Sequence, residues 1–281
     1  MKPFFETFSG TGYICAHRGA RSIAPENTPM AFEKARHCGA DLWETDVQET
    51  ADGELVLFHD HTLARTTDVV TLSEFSDRCP WSLGDFTYAE LKKLNAGSWF
   101  LQSDPFATVA AGEIPAEDTR SIRAQHIPLL RDILTDCQRY NFPLNLEIKD
   151  QSGTVADGTI VAKVMDLIEV MGAESLVLIS SFNHTYLRQA KQINGSVATA
   201  ALVEDKHPDS LLSYLRDLNV DAYHPDQLIT DTALVRQLVN DGMRVNLWTV
   251  NDLEQAREYT AAGATFICTD WPQRFLEISH S

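Results

Sequence analysis

Short apolar runs alternate with longer segments of helical periodicity along most of the chain, and this alternation constrains the fold more than any other feature. This alternation is the sequence form of a parallel α/β fold. The pattern predicts strands over residues 13–17, 41–47, 144–149, 176–180, 197–202, 221–224, 244–250 and 265–268. It predicts helices over residues 29–37, 130–140, 160–171, 184–192, 210–218, 232–240 and 253–261.

Eight strands with intervening helices predict an α/β fold of the (β/α)8 TIM barrel type. The chain has 281 residues, close to the roughly 250 that are typical of this barrel. An open, doubly wound sheet is the alternative, but no GxGxxG turn supports the dinucleotide site of that architecture. We therefore expect residues 1–281 to form a single catalytic domain.

One interval breaks the regular spacing. About 80 residues separate Asp60 from Phe142, which is far more than one crossover connection needs. We expect residues 61–125 to be a small insertion after the second strand, with an extra strand over residues 54–58 leading into it. A long excursion of this kind serves either as a lid over the site or as a packing cap.

Strand alternation places several charged side chains on shared faces. Glu44 and Asp46 point to one side of the second strand, and Glu147 and Lys149 point to one side of the next barrel strand. Because three converging carboxylates repel one another, we expect one divalent cation between them. An all-oxygen set favours Mg²⁺ or Ca²⁺ over zinc. The alternative is a buried salt-bridge cluster with Arg18 and Lys149.

Two histidines stand near strand ends beside these charges. His17 ends the first strand and His59 ends the strand before the insertion, as expected for general acid–base residues. We expect His61 to be structural, because no later strand supplies the further ligands of a zinc hydrolase. His224, at another strand end, is a reserve candidate. Trp248 either walls a pocket for a small group or belongs to the core.

Composition excludes several classes of partner. The formal net charge of −17 argues against nucleic acid and against stable association with anionic membranes. The five cysteines are scattered without a CxxC pair, so we expect free thiols in a reducing compartment. No run of about 20 apolar residues and no secretory signal is evident, and we expect a cytoplasmic protein. The sequence leaves homo-oligomerisation open.

These residues together resemble the glycerophosphodiester phosphodiesterase family over nearly the whole chain. The N-terminal half carries the motifs His17-Arg18-Gly19, Pro25-Glu26-Asn27-Thr28, Glu44-x-Asp46-Val47, His59-Asp60 and Leu146-Glu147-Ile148-Lys149. The C-terminal half continues with Ser180-Ser181-Phe182, Trp248-Thr249-Val250-Asn251 and Thr269-Asp270-Trp271-Pro272. One departure is Asn95, where the family commonly has Asp.

The resemblance implies an enzyme that cleaves glycerophosphodiesters, such as glycerophosphocholine and glycerophosphoethanolamine, to sn-glycerol 3-phosphate and an alcohol. It also implies a TIM barrel with a small insertion, and it looks most like the cytoplasmic bacterial branch. The implied roles are metal ligands for Glu44, Asp46 and Glu147, an acid–base pair for His17 and His59, and phosphate binding for Arg18 and Lys149. The alternative is lysophospholipase D-type cleavage of lysophospholipids by the same residues.

Overall fold

The structure is a computed structural model that describes residues 2–275; Met1 and residues 276–281 lie outside the described part. Its strands are β1 Tyr13–His17, β2 Leu42–Glu49, β3 Leu55–Leu57, β4 Leu144–Ile148, β5 Val177–Ser181, β6 Ala198–Val203, β7 Ala222–Pro225, β8 Arg244–Leu247 and β9 Phe266–Thr269. The strand order is β1-β9-β8-β7-β6-β5-β4-β2-β3, and an additional β1–β2 pairing closes the ring. Eight parallel strands thus form the predicted TIM barrel.

Helices connect the barrel strands and cover their outer faces. The α-helices of the described residues are α1 Pro3–Glu6, α2 Pro29–His37, α3 Tyr88–Leu91, α4 Ser98–Ser103, α5 Asp118–Arg123, α6 Leu130–Tyr140, α7 Ile160–Met171, α8 His184–Ile193, α9 Leu211–Leu218, α10 Thr232–Asn240 and α11 Leu253–Ala261. Short 3₁₀ helices lie at Val69–Thr71, Ser73–Arg78, Leu83–Asp85, Val155–Gly158, Gln227–Ile229 and Pro272–Arg274. No helix in residues 2–275 combines the length and apolar character needed to cross a bilayer.

Several strand boundaries differ from the sequence prediction. The predicted strand over residues 244–250 stops at Leu247; Trp248 makes an isolated bridge with Asp226 instead of continuing the ladder. The extra strand β3 is shorter than predicted and runs antiparallel to β2. Because β3 pairs with the last three residues of β2, that strand extends to Glu49, beyond its predicted end at residue 47.

An apolar plug closes the amino-terminal end of the barrel. Phe4 and Phe5 of α1, with Phe8, pack around Phe266 at the start of β9, with ring centroids 4.8–6.4 Å apart. Small and apolar side chains fill the layer above, among them Cys15, Leu178, Ala200 and Ala222. Polar side chains in the barrel are therefore concentrated toward the carboxyl ends of the strands, where enzymes of this fold carry out chemistry.

The chain between β3 and α6 packs around its own small core. Phe75, Phe86 and Leu91 belong to this core, and Val56 of β3 joins it to the barrel. Helix α5 is anchored to α2 by an ion pair between Lys34 and Asp118, 2.6 Å apart. Residues 61–125, the predicted insertion, present His61 and Arg65 to the carboxyl end of the barrel.

Candidate active site

A cavity of about 510 Å³ opens at the carboxyl ends of the barrel strands. Seven of the eight predicted site residues line it: His17, Arg18, Glu44, His59, Glu147, Lys149 and Trp248. The eighth, Asp46, lies just beneath the wall with 1% of its surface exposed. The fold therefore brings all eight residues to one place, although they span more than 200 positions of sequence.

Three buried carboxylates form a cluster at the edge of the cavity. Asp46 of β2 is in register with Glu147 of β4, and Glu44 lies one strand repeat below Asp46. One oxygen of each carboxylate lies within 4.8 Å of the others. Burial, reinforced by repulsion from Asp46 and Glu147, raises the pKa of Glu44 well above its usual range. Burial also raises the pKa of Glu147, although the charge of Lys149 partly offsets this effect.

Two cations approach this cluster without neutralising it. Lys149 Nζ lies 2.7 Å from Glu147 Oε1 and 3.5 Å from Asp46 Oδ1. Arg18 Nε lies 3.7 Å from Asp46 Oδ2, but the same guanidinium is shared with Glu26. Part of the predicted salt-bridge alternative is thus present. Because these two cations face the three carboxylates of the cluster and Arg18 also pairs with Glu26, the donor set still fits a hard divalent cation, which would remove the repulsion.

His17 is held by a carboxylate through one ring nitrogen. Its Nδ1 donates to Asp270 Oδ1 at 2.7 Å, and Asp270 Oδ2 accepts from the Asn251 side-chain amide at 2.8 Å. The other ring nitrogen, Nε2, faces Glu44 at 3.9 Å. Burial, together with the charge of Arg18, lowers the pKa of His17 to about 4 despite Asp270. The imidazole is therefore neutral at pH 7, with Nε2 free to accept a proton.

His59 repeats this arrangement on the other side of the site. Its Nδ1 donates to Asp60 Oδ1 at 2.7 Å, and Asp60 Oδ2 accepts from Arg65 Nε at 2.6 Å. The backbone on either side of His59 is held by Gln48, whose Nε2 donates to the carbonyls of Phe58 and Asp60, both at 2.8 Å. Both histidines thus have a carboxylate on Nδ1 and leave Nε2 available.

A chain of ion pairs connects the two histidine–carboxylate pairs. Arg21 lies 3.5 Å from Asp270 and 3.1 Å from Glu26, and Arg65 lies 2.6 Å from both Glu26 and Asp60. Burial alone would raise the pKa of Glu26, but Arg18, Arg21 and Arg65 together lower it to about 2. Glu26 is therefore an anion at the centre of a charged network that spans the site.

Asn27 supports the carboxylate cluster from the adjacent turn. Its Nδ2 donates to Asp46 Oδ2 at 2.8 Å, and its Oδ1 accepts from the Thr45 hydroxyl at 2.7 Å. The backbone of Asn27 is left-handed, with φ of 55°, a conformation that asparagine tolerates better than most residues. Thr28 then caps α2 by accepting a hydrogen bond from the Ala31 amide.

The sequence analysis named four of these supporting residues only as parts of family motifs and assigned them no role: Glu26, Asn27, Asp60 and Asp270. Asp270 directly follows β9, so the strand-end rule that found His17 and Lys149 also applied to it. The sequence pattern did not predict that Asp270 pairs with His17, because 253 positions separate the two residues.

The remaining sequence candidates occupy the wall and rim of the cavity. Trp248 stacks edge-on against Phe182 with ring centroids 5.5 Å apart, and its indole nitrogen donates to the His224 carbonyl. Trp248 thus lines the cavity and also packs against the apolar cluster at the floor of the barrel. His61 lines the exposed rim without joining the carboxylate cluster. His224 is fully buried at the base, where burial lowers its pKa to about 3.

Comparison with known proteins agrees with this geometry. The sequence model of the glycerophosphoryl diester phosphodiesterase family matches residues 17–274. The chain is 33% identical to a glycerophosphodiester phosphodiesterase of Bacillus altitudinis over 272 residues, covering 94% of this chain and 97% of the relative. A relative of the same name from Caldanaerobacter subterraneus is also 33% identical, with 94% and 96% covered.

Solved structures give the same result. An Oleispira antarctica phosphodiesterase in complex with the product sn-glycerol 3-phosphate superposes with a TM-score of 0.79 at 28% identity, covering 95% of this chain and 96% of that chain. A putative glycerophosphoryl diester phosphodiesterase from Silicibacter pomeroyi superposes with a TM-score of 0.83 at 26% identity, covering 99% and 97%. The chain belongs to the glycerophosphoryl diester phosphodiesterase family of enzymes.

Proposed function

We propose that the protein hydrolyses glycerophosphodiesters, such as glycerophosphocholine and glycerophosphoethanolamine, to sn-glycerol 3-phosphate and an alcohol. One observation carries this proposal: two carboxylate-held imidazoles, His17 and His59, line one cavity with a cluster of three acidic side chains and two cations. The Oleispira antarctica relative, whose structure contains sn-glycerol 3-phosphate, supports the same product here.

The proposal assigns one divalent cation, Mg²⁺ or Ca²⁺, to Glu44, Asp46 and Glu147. Support comes from the closeness of their oxygens, because one oxygen of each carboxylate lies within 4.8 Å of the others. A hard cation bound there supplies positive charge that stabilises phosphate oxygens and makes a nearby hydroxyl more acidic. Arg18 and Lys149 would bind the remaining phosphate oxygens, which gain negative charge as the transition state forms.

In the proposed first step, His17 Nε2 takes the proton of the glycerol 2-hydroxyl. The freed oxygen attacks phosphorus, a five-membered cyclic phosphate forms, and the bond to the head-group oxygen breaks. His59 gives its Nε2 proton to the departing alcohol. In the second step His59 takes a proton from water, the water oxygen attacks phosphorus, and His17 returns a proton to the 2-oxygen as the ring opens.

Local environment supports this order of roles. The lowered pKa of His17 keeps it unprotonated at neutral pH, as a first base must be. The side chain of His59 is 30% exposed, which suits a group that protonates a product leaving toward solvent. Replacing either histidine by alanine is expected to lower kcat by about 10²–10⁴. Near-normal kcat in either variant would remove that residue from the mechanism.

A substrate without a vicinal hydroxyl tests the cyclisation step. We expect ethyl phosphocholine and bis(p-nitrophenyl) phosphate to be poor substrates compared with glycerophosphocholine, because neither carries the attacking hydroxyl. Equal turnover of these diesters would reject cyclisation and favour direct attack by water. Lysophosphatidylcholine in the same panel tests the lysophospholipase D-type alternative, which the same residues would perform.

A further inference from the structure

Four buried polar side chains at the base of the cavity have an unpartnered polar atom each. They are Asn145 of β4, Ser180 of β5, His224 of β7 and Asn246 of β8, all at most 2% exposed. The unpartnered atoms are Asn145 Oδ1, Ser180 Oγ, His224 Nε2 and Asn246 Oδ1, and all four residues line the cavity. Buried polar groups without partners are costly, so their clustering on one cavity indicates a ligand.

These side chains lie beside and below the proposed reaction centre: Asn145 is in register with Glu44, and Ser180 is in register with Glu147. Asn145 precedes Glu147 by two residues on the same face of β4, which places it about 7 Å closer to the barrel floor. Between β5 and β7, strand β6 contributes Ala200, which is in register with Ser180 and Ala222. Ala200 belongs to the apolar cluster at the floor of the barrel, so Ser180 borders that cluster.

The four groups form an uncharged set of donors and acceptors. Asn246 Nδ2 lies 3.4 Å from His224 Nδ1, and since the amide nitrogen can only donate, His224 Nδ1 accepts. The ring proton of His224 is then on Nε2, the unpartnered atom. The amide oxygens of Asn145 and Asn246 can only accept, whereas the Ser180 hydroxyl can do both.

We propose that the base of the cavity is a polyol subsite, which binds hydroxyl groups of the diester through Asn145, Ser180, His224 and Asn246. A hydroxyl matches this set because it donates and accepts at once, whereas a quaternary ammonium does neither. A cationic head group is better matched at the rim, where Phe182, Trp248 and the carboxylate of Glu204 line the opening. The proposal rests on the proposed function and specifies which part of its substrate the enzyme selects.

The hydroxyl groups that fill the subsite belong either to the glycerol end or to a polyol head group. Three substrates separate these sources: glycerophosphocholine, its 1-deoxy analogue, and glycerophosphoglycerol. The 1-deoxy analogue keeps the attacking 2-hydroxyl and lacks only the terminal one. Glycerophosphoglycerol adds hydroxyl groups to the head group.

Two variants remove subsite groups, and one matched variant serves as the control. Ser180→Ala and Asn246→Leu each delete hydrogen-bonding atoms that line the cavity. Thr199→Val deletes an equally buried, unpartnered hydroxyl of neighbouring β6, on a residue that does not line the cavity. Circular dichroism and thermal melting of all three variants establish that the comparison is made between folded proteins.

Two ratios of kcat/KM are compared: glycerophosphocholine against its 1-deoxy analogue, and glycerophosphoglycerol against glycerophosphocholine. We expect one of these ratios to be about ten to a hundred for the wild-type protein. A loss with the 1-deoxy analogue identifies the glycerol end, and a preference for glycerophosphoglycerol over glycerophosphocholine identifies the head group. Ser180→Ala and Asn246→Leu should bring that ratio close to one, and Thr199→Val should preserve it. The proposal would be overturned if both wild-type ratios lay within twofold of one, or if the ratios were unchanged in both subsite variants.

Equilibrium binding separates failure of the subsite from failure of the proposed function. Calorimetry with sn-glycerol 3-phosphate and its 1-deoxy analogue makes the glycerol-end comparison without turnover, and calorimetry with free glycerol and myo-inositol tests a polyol head group. If wild-type protein hydrolyses none of the diesters, the proposed function fails, and these binding ratios alone decide whether the polyol subsite exists. Hydrolysis without discrimination between the substrates would reject the subsite and leave the proposed function intact.

Discussion

Both proposed proton carriers are oriented by the same device at the scale of single residues. A carboxylate fixes Nδ1 of each imidazole, so each ring is held in one tautomer and one rotation with Nε2 toward the cavity. Hydrogen bonds from Asn251 and Arg65 hold the two carboxylates in turn. Orientation of this kind contributes to rate because a misplaced proton acceptor no longer reaches the reacting atoms.

Asp270→Asn tests this device at His17. The variant removes the carboxylate charge that partly offsets the burial of His17, so the imidazole becomes a weaker base and its tautomer is no longer fixed. We expect kcat for glycerophosphocholine to fall by about 10–100-fold, with KM changed much less. Exposed Asp166 on α7, changed to Asn, is the matched control and should keep full activity. Undiminished kcat in Asp270→Asn would show that Asp270 only balances charge.

At the scale of elements, the excursion between β3 and α6 begins with His59 and also carries Arg65, which pairs with the carboxylate that holds this histidine. Arg65 contacts Asp60 and Glu26, and through them it reaches His59 and Arg18. Because this arginine side chain is 42% exposed, its ion pairs contribute little to stability. Its contribution lies in holding the excursion and the acidic network in register.

The Arg65→Gln variant distinguishes the contribution of Arg65 to stability from its contribution to positioning the acidic network. We expect kcat to fall about tenfold or more, because Asp60 loses the partner that positions it against His59. The thermal midpoint should move by only a few degrees. Arg78→Gln breaks an ion pair with Glu90 inside the same excursion and should leave kcat unchanged. Equal kinetic losses in both variants would mean that the excursion acts only through its general stability.

Most of the barrel and the carboxylate cluster was predictable from sequence, for a physical reason. Strand alternation is a local rule, and it placed Asp46 beside Glu147 because parallel strands align their ends. The acidic network was not predictable, since Arg65 reaches Glu26 from irregular backbone 39 positions away. Periodicity carries no information about such contacts. The predicted end of β8 was also wrong. The residue pattern around Trp248 is the same whether or not its backbone stays in the ladder of hydrogen bonds.

At the scale of the whole molecule, buried His224 makes stability depend on pH. The ordinary pKa of histidine is 6.5, and burial lowers that of His224 to about 3. The unfolded chain therefore takes up a proton below about pH 6.5, whereas the folded protein does so only near pH 3. Between these values the free energy of unfolding decreases as pH falls, by about 1.4 kcal/mol per pH unit for this group.

Urea unfolding between pH 7 and pH 5 measures this dependence. His17 contributes in the same direction, because its pKa is also lowered, to about 4. His224→Gln should therefore flatten the decrease without abolishing it. An unchanged slope in the variant would mean that His224 takes up its proton in the folded state at an ordinary pH.

The central claim, that a divalent cation and the two histidines together hydrolyse a glycerophosphodiester, is tested most directly by chelation and rescue. Phosphorus NMR would follow glycerophosphocholine with wild-type protein before chelation, after EDTA and dialysis, and after addition of Mg²⁺ or Ca²⁺. We predict conversion to sn-glycerol 3-phosphate, its loss on chelation, and its recovery with one of the two ions; Glu147→Gln should recover poorly. Full activity after chelation, with no metal detected by elemental analysis, would contradict the claim and leave Glu44, Asp46 and Glu147 as an ion-pair cluster.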